Sequence, residues 1–237
     1  MKAELIDRLE HPGTSGFSED MAYAGTDIFW VADGASTSKK DTFAGYESYA
    51  MWLTHLFRQQ FEKTVPNSDP FPKLVKRCID SIEHKFPLSD MDWYDKPSFT
   101  LSAFQIDGEY TRLYTIGDCA IYILKHDGTT ETLYDNRVEP FSLQTIREAQ
   151  TARRTGNDVA MAIRTQTLKN RVARNQQGGF WVVGYGGRYE EEFLTDVYRT
   201  TDIKRILICS DGFVRVFKEF RGCFITIVNL QEVYSRA

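Results

Sequence analysis

The chain has 237 residues, 42% hydrophobic, 14% aromatic and 26% charged, with a formal net charge of −4. That length and apolar content support one large domain with a sizeable core. The acidic balance argues against a nucleic-acid partner, which needs a broad basic footprint, and no run of 18 apolar residues is present to predict a membrane helix.

Residues 27–32 place Ile28, Phe29, Trp30 and Val31 together without a helical period and read as a strand. Tyr46, Tyr49, Ala50, Leu53, Leu56 and Phe57 recur at three and four spacing, which predicts a helix over 43–62 capped by Thr42 or Asp41. After the PNSDP loop, Leu74, Val75, Cys78, Ile79, Ile82 and Phe86 form one face of a second helix, with Pro72 in its first turn. A proline-bounded break covers 87–98.

The period then falls to two. SFTLSAFQID, YTRLYTIGD and CAIYILKHDG are predicted strands, and DGEY and HDGT the turns of antiparallel hairpins. Residues 142–172 read as two helical pieces broken near Gly156 and Asn157. FWVVG (180–184), KRILICS and FITIVNL complete the strands. Helices packed on antiparallel sheet make an α+β layered domain, read as one unit over 1–237.

The four cysteines form no C-x-x-C pair, and the four histidines are scattered, so free thiols are expected and zinc is not. MKAELIDRLEHPG lacks the apolar stretch of a signal peptide, and the expected location is the cytoplasm.

Strand 27–32 runs into Asp33-Gly34, strand 206–209 into Asp211-Gly212, and LYTIG into Asp118. A carboxylate at a strand end is held by a rigid element and opens on a cleft. That is how a ligand for a hard divalent cation is best held. Glycine lets backbone approach a ligand closely. Asp-Gly is also a common turn pair, and His126-Asp127-Gly128 is read as a turn only.

In order, SED (18–20), VADGAS (31–36), SFT (98–100), TIGDCAIYI (115–123) and LICSDGF (207–213) resemble the metal-dependent Ser/Thr phosphatases of the PP2C-like family. The resemblance implies a four-layer α-β-β-α sandwich, with two central antiparallel sheets flanked by helices and Mn²⁺ or Mg²⁺ at one end. It implies metal-ligand roles for Glu19, Asp33, the Gly34 carbonyl, Asp118 and Asp211. Asp20 supports Glu19, and Asp33, Asp211, Glu19 and Asp20 form the catalytic set. Two ions are expected from the family.

Two departures accompany it. Where the family carries a phosphate-gripping arginine stands Ser15, with His11 or another basic residue as substitute. The segment after residue 213 is short for the family, and Glu219 is the only acidic residue between Asp211 and FITIVNL. Loss of that late carboxylate would leave one ion rather than two. Arg171, Arg174 and Asn175 are candidates to face a phosphorylated partner; the simpler reading is a solvated helix end. Trp181 and Cys209 are read as core.

Two functions follow. The first is metal-dependent hydrolysis of phosphoserine or phosphothreonine in a phosphoprotein substrate. The second is a weak or inactive domain of the same kind that binds a regulatory protein or phosphoprotein partner.

Overall fold

The computed structural model describes residues 2–5, 16–35, 42–65, 69–213 and 228–231. In chain order the elements are β1 (Lys2–Glu4), β2 (Met21–Ala24), β3 (Ile28–Ala35), α1 (Tyr49–Thr64) and α2 (Phe71–Lys85). Next come β4 (Ser98–Asp107), β5 (Tyr110–Ile116), β6 (Ala120–Lys125) and β7 (Thr130–Tyr134). Then follow α3 (Glu139–Thr155), α4 (Val159–Val172), β8 (Val183–Gly184), β9 (Leu194–Arg199), β10 (Ile203–Cys209) and β11 (Val228–Gln231).

The strands form two antiparallel sheets. One runs β2-β3-β4-β5-β9, with β8 on β4; the other runs β1-β11-β10-β6-β7. The hairpin turns DGEY and HDGT stand where the two-residue period ends, as expected. In the second, Asp127 accepts from Thr129 N at 2.8 Å, a turn and nothing more.

Alternation along β3 and β4 divides the core. Trp30, Ala32, Phe99, Leu101 and Ala103 face α1 and α2, where Trp52, Leu53, Phe57, Phe61, Leu74 and Ile79 meet them. Phe29, Phe104, Ile106 and Leu113 face the other way and pack on Ile121, Ile123, Ile203 and Ile206 of the second sheet. Truncating a buried ring such as Phe57 would cost about 3–5 kcal/mol. The layered α+β architecture with two antiparallel sheets is thus present.

The face between the sheets changes character along its length. At the far end it is aliphatic and aromatic. Toward the start of β4 it becomes polar, with Ser102 Oγ 2.7 Å from Thr115 Oγ1 and Thr100 Oγ1 3.2 Å from Cys119 Sγ. These pairs satisfy buried hydroxyls locally. Asp33 lies on this inner face, two residues beyond Val31.

Three expectations need correction. Helix α1 starts at Tyr49 with Ser48 as N-cap, whose Oγ accepts from Met51 N at 3.1 Å. Ala44 and Gly45 take positive φ, and Phe43 pairs with Tyr46, so 43–46 is a tight turn rather than helix. Of FWVVG only Val183–Gly184 is paired as strand, because Phe180 turns back to bridge Arg174. The end of α4 is also not solvated: Arg171 and Arg174 are 8% and 4% exposed. Gly156, at φ 72°, ends α3 where the break was expected. Cys78, Cys119 and Cys209 are buried free thiols, also as expected.

Candidate metal centre

Three strand ends meet at the polar end of the sandwich. Asp33 is carried by β3 opposite Thr100, Asp118 follows β5, and Asp211 follows β10. All three line one cavity of about 180 Å³ with Ala35, Ser98 and Thr100. The strands come from both sheets, so the cavity exists only because the sheets are stacked.

Glycines set two of the approaches. A Cβ on Gly34 would lie 2.7 Å from the Glu19 carbonyl oxygen, so only glycine lets the SED segment run against β3. Glu19 is then fixed from α1: Ser48 Oγ donates to its carboxylate, and Thr54 Oγ1 donates to its carbonyl at 3.0 Å. Gly117 sits at φ +79°, and a Cβ there would lie 2.2 Å from Thr100 Cγ2. Its N–H donates to buried Asp135 at 3.0 Å, and Asp135 also accepts from Arg137 Nε and Nη2 at 2.8 Å each. The turn that carries Asp118 is therefore locked by shape and by charge.

The electrostatics record how close the carboxylates are. Burial raises the proton affinity of Asp33 first. The charges of Asp20, Asp211 and Asp118 raise it further, and so does a hydrogen bond with Asp211. Tyr134 is pushed up to about 12, by burial and then by Asp118, Glu139 and Asp211.

A donor set of carboxylate oxygens that repel one another is short of positive charge. It fits a hard divalent cation and not a soft one. Among the described residues, no group of three or more His, Cys, Asp or Glu is arranged to hold a metal ion. Mg²⁺ and its like are commonly held by one or two carboxylates with water completing the sphere.

The expected site residues therefore divide. Asp33, Asp118 and Asp211 share the cavity wall. Asp20 is near enough for its charge to act on Asp33. Glu19 packs behind, against Gly34 and Ser48, and its charge is felt by Arg171. Gly34 is buried beside Glu19 on the helix-facing side of β3. Ser15, His11 and Glu219 lie outside the described residues.

Arg171, Arg174, Phe180 and Val182 line the same cavity. Arg171 Nη1 donates to Asp95 at 2.7 Å in a pair whose side chains are each 10% exposed. Arg174 donates through Nη1 to Lys96 O and Ser98 Oγ and through Nη2 to Trp93 O, each at 2.8 Å. Asn175 is structural, its Oδ1 accepting from Val182 N at 2.8 Å. Trp181 packs half-buried on the helix-side core. Ser48, Asp95 and Asp135 escaped the sequence reading. Arg171 lies in the last turn of α4 and Arg174 in the turn beyond it, so no helical spacing marked the pair.

The sequence profile described as protein phosphatase 2C matches residues 19–233. No curated protein matches the sequence significantly. The serine/threonine phosphatase PstP/Ppp of Mycobacterium tuberculosis is similar in fold, at 17% identity and TM-score 0.53, over 90% of this chain and 80% of that one. The catalytic domain of PstP in complex with two manganese ions matches at 19% identity and TM-score 0.50, over 89% and 78%. PppA, a regulatory component of the T6SS of Pseudomonas aeruginosa, matches at 14% identity and TM-score 0.50, over 85% and 74%.

Proposed function

The chain belongs to the protein phosphatase 2C family, and from that premise we propose that it hydrolyses phosphoserine and phosphothreonine esters in proteins with Mn²⁺ or Mg²⁺. The observation that carries this reading is the convergence of Asp33, Asp118 and Asp211 on one cavity that two buried arginines also line.

Asp33 and Asp211 would hold the cation, with Asp118 beside them and Asp20 and Glu19 shaping the field. A divalent cation so held lowers the pKa of water and offsets charge on phosphoryl oxygens. Asp33 is fixed by its pairing to β4 and Asp118 by the Gly117 turn, so these oxygens need little rearrangement when the substrate arrives. The described cysteines are buried, and a buried neutral thiol is a poor nucleophile. Water activated by the cation would be the attacking group, with no phosphoryl-enzyme needed. Phe180 and Val182 add an apolar part to the cavity wall.

The bound ions of the PstP catalytic domain agree with metal use in this fold. Among the described residues no helix is long and apolar enough to cross a membrane. A phosphoprotein substrate in the cytoplasm is the setting we propose.

The test is hydrolysis of a phosphothreonine peptide with and without Mn²⁺, comparing the intact protein with Asp33→Asn. Metal-dependent turnover that the substitution abolishes supports the proposal. A folded protein that binds the phosphopeptide but turns it over no faster than Asp33→Asn is a binding domain instead.

A further inference from the structure

The two arginines on the cavity wall are not equivalent. Arg174 spends both terminal nitrogens on protein oxygens, tying residues 93–98 to the turn after α4. Arg171, three residues earlier in the last turn of α4, donates to Asp95 through Nη1. Asp95 belongs to the segment that Arg174 pins, so the two contacts form one brace. That brace holds the Arg171 side chain in the wall of the cavity that Asp33, Asp118 and Asp211 also line.

Burying a guanidinium is costly unless its surroundings use it. Here two lie three residues apart, and Arg174 is lowered to about 10 by burial and then by the Arg171 charge. A ligand that is anionic toward Arg171 and touches a cation on the acidic side resolves both walls together. A phosphoryl group is such a ligand, and a guanidinium meets it with a planar fork.

We propose that Arg171 binds the phosphoryl oxygens of the substrate, and that Asp95 and Arg174 are positioning residues that hold it. This rests on the phosphatase reading for its substrate, but not for its test. The probe is inorganic phosphate, with affinity measured by calorimetry in Mg²⁺ without turnover. Arg171→Lys keeps the charge and loses the fork. The double variant Arg171→Gln with Asp95→Asn removes the pair without leaving a buried lone carboxylate. Arg147→Gln, on the exposed face of α3, is the control.

Phosphate affinity is expected to fall on the order of tenfold or more in both Arg171 variants. It should stay unchanged in Arg147→Gln, and KM for the phosphopeptide should rise in proportion. Thermal denaturation certifies that each variant is folded. Phosphate affinity within twofold of wild type in the folded Arg171 variants overturns the assignment, as does a wild type that binds no phosphate. If phosphate binding depends on Arg171 but no turnover is seen, the assignment stands and the enzymatic reading falls. Turnover with unchanged phosphate affinity in the variants gives the reverse.

Discussion

Replacing Gly117 by alanine should damage the protein far more than the same change at Gly128. Both glycines stand at positive φ, +79° and +87°. An L-residue in that region costs about 1–2 kcal/mol. At Gly128 a Cβ meets nothing within 4 Å, so that backbone cost is the whole of it. At Gly117 the Cβ would lie 2.2 Å from Thr100 Cγ2 and 2.5 Å from Thr100 Cβ, in a buried wall with no flexible end to yield. Overpacking of this kind costs about 1–3 kcal/mol more. Gly117→Ala should therefore lose about 2–5 kcal/mol, or roughly 4–20 °C in Tm at 2–4 °C per kcal/mol. Urea unfolding of both variants measures the difference, and Thr100→Ala in the Gly117→Ala background should recover part of it. Equal losses at the two positions would refute the close packing of the Asp118 turn.

Asp33→Asn should make the metal-free protein more stable, because it removes a carboxylate that burial and then the charges of Asp20, Asp211 and Asp118 oppose. In saturating Mn²⁺ the order should invert, since the ion stabilises wild type by binding the folded state; a Tm pair measured with and without Mn²⁺ decides it. Asp135→Ala should cost about 3 kcal/mol, discounted because Arg137 is partly exposed, and should weaken Mn²⁺ binding through the Gly117 turn. Burial pushes the Cys78 thiol up to about 11 from its ordinary 9.0. The folded state then holds a proton that the unfolded state releases, so stability falls as pH rises from about 9 to about 11. The stability difference between wild type and Cys78→Ala should shift by about 2–3 kcal/mol across that window. A pH-independent difference would contradict the burial argument.

The acidic strand ends were legible because two facts combine. A period of two fixes which face a residue takes, and an aspartate closing an apolar strand must sit at that strand's end. Asp33 follows Phe29 and Val31 onto the inner face for this reason. Helix α2 was equally plain, its apolar face facing a core that accepts it. The start of α1 was not, because Tyr46 keeps the helical spacing while Ala44 and Gly45 bend the backbone away from it. Strand β9, LTDVYR, carries mostly exposed polar residues at a sheet edge, where its pairing to β5 rather than its burial makes it a strand. The buried arginines were hidden for a different reason. Their environment comes from Asp95 and Ser98, 76 residues away, and no local period records that contact.

The central proposal is that Asp33 and Asp211, with Asp118 beside them on the same cavity wall, hold a divalent cation where the two sheets meet. Calorimetric titration of the protein with Mn²⁺, beside folded Asp33→Asn and Asp211→Asn, tests it most directly. The account predicts saturable binding to wild type that weakens on the order of tenfold or more in each variant. Equal Mn²⁺ affinity in wild type and both variants would contradict it.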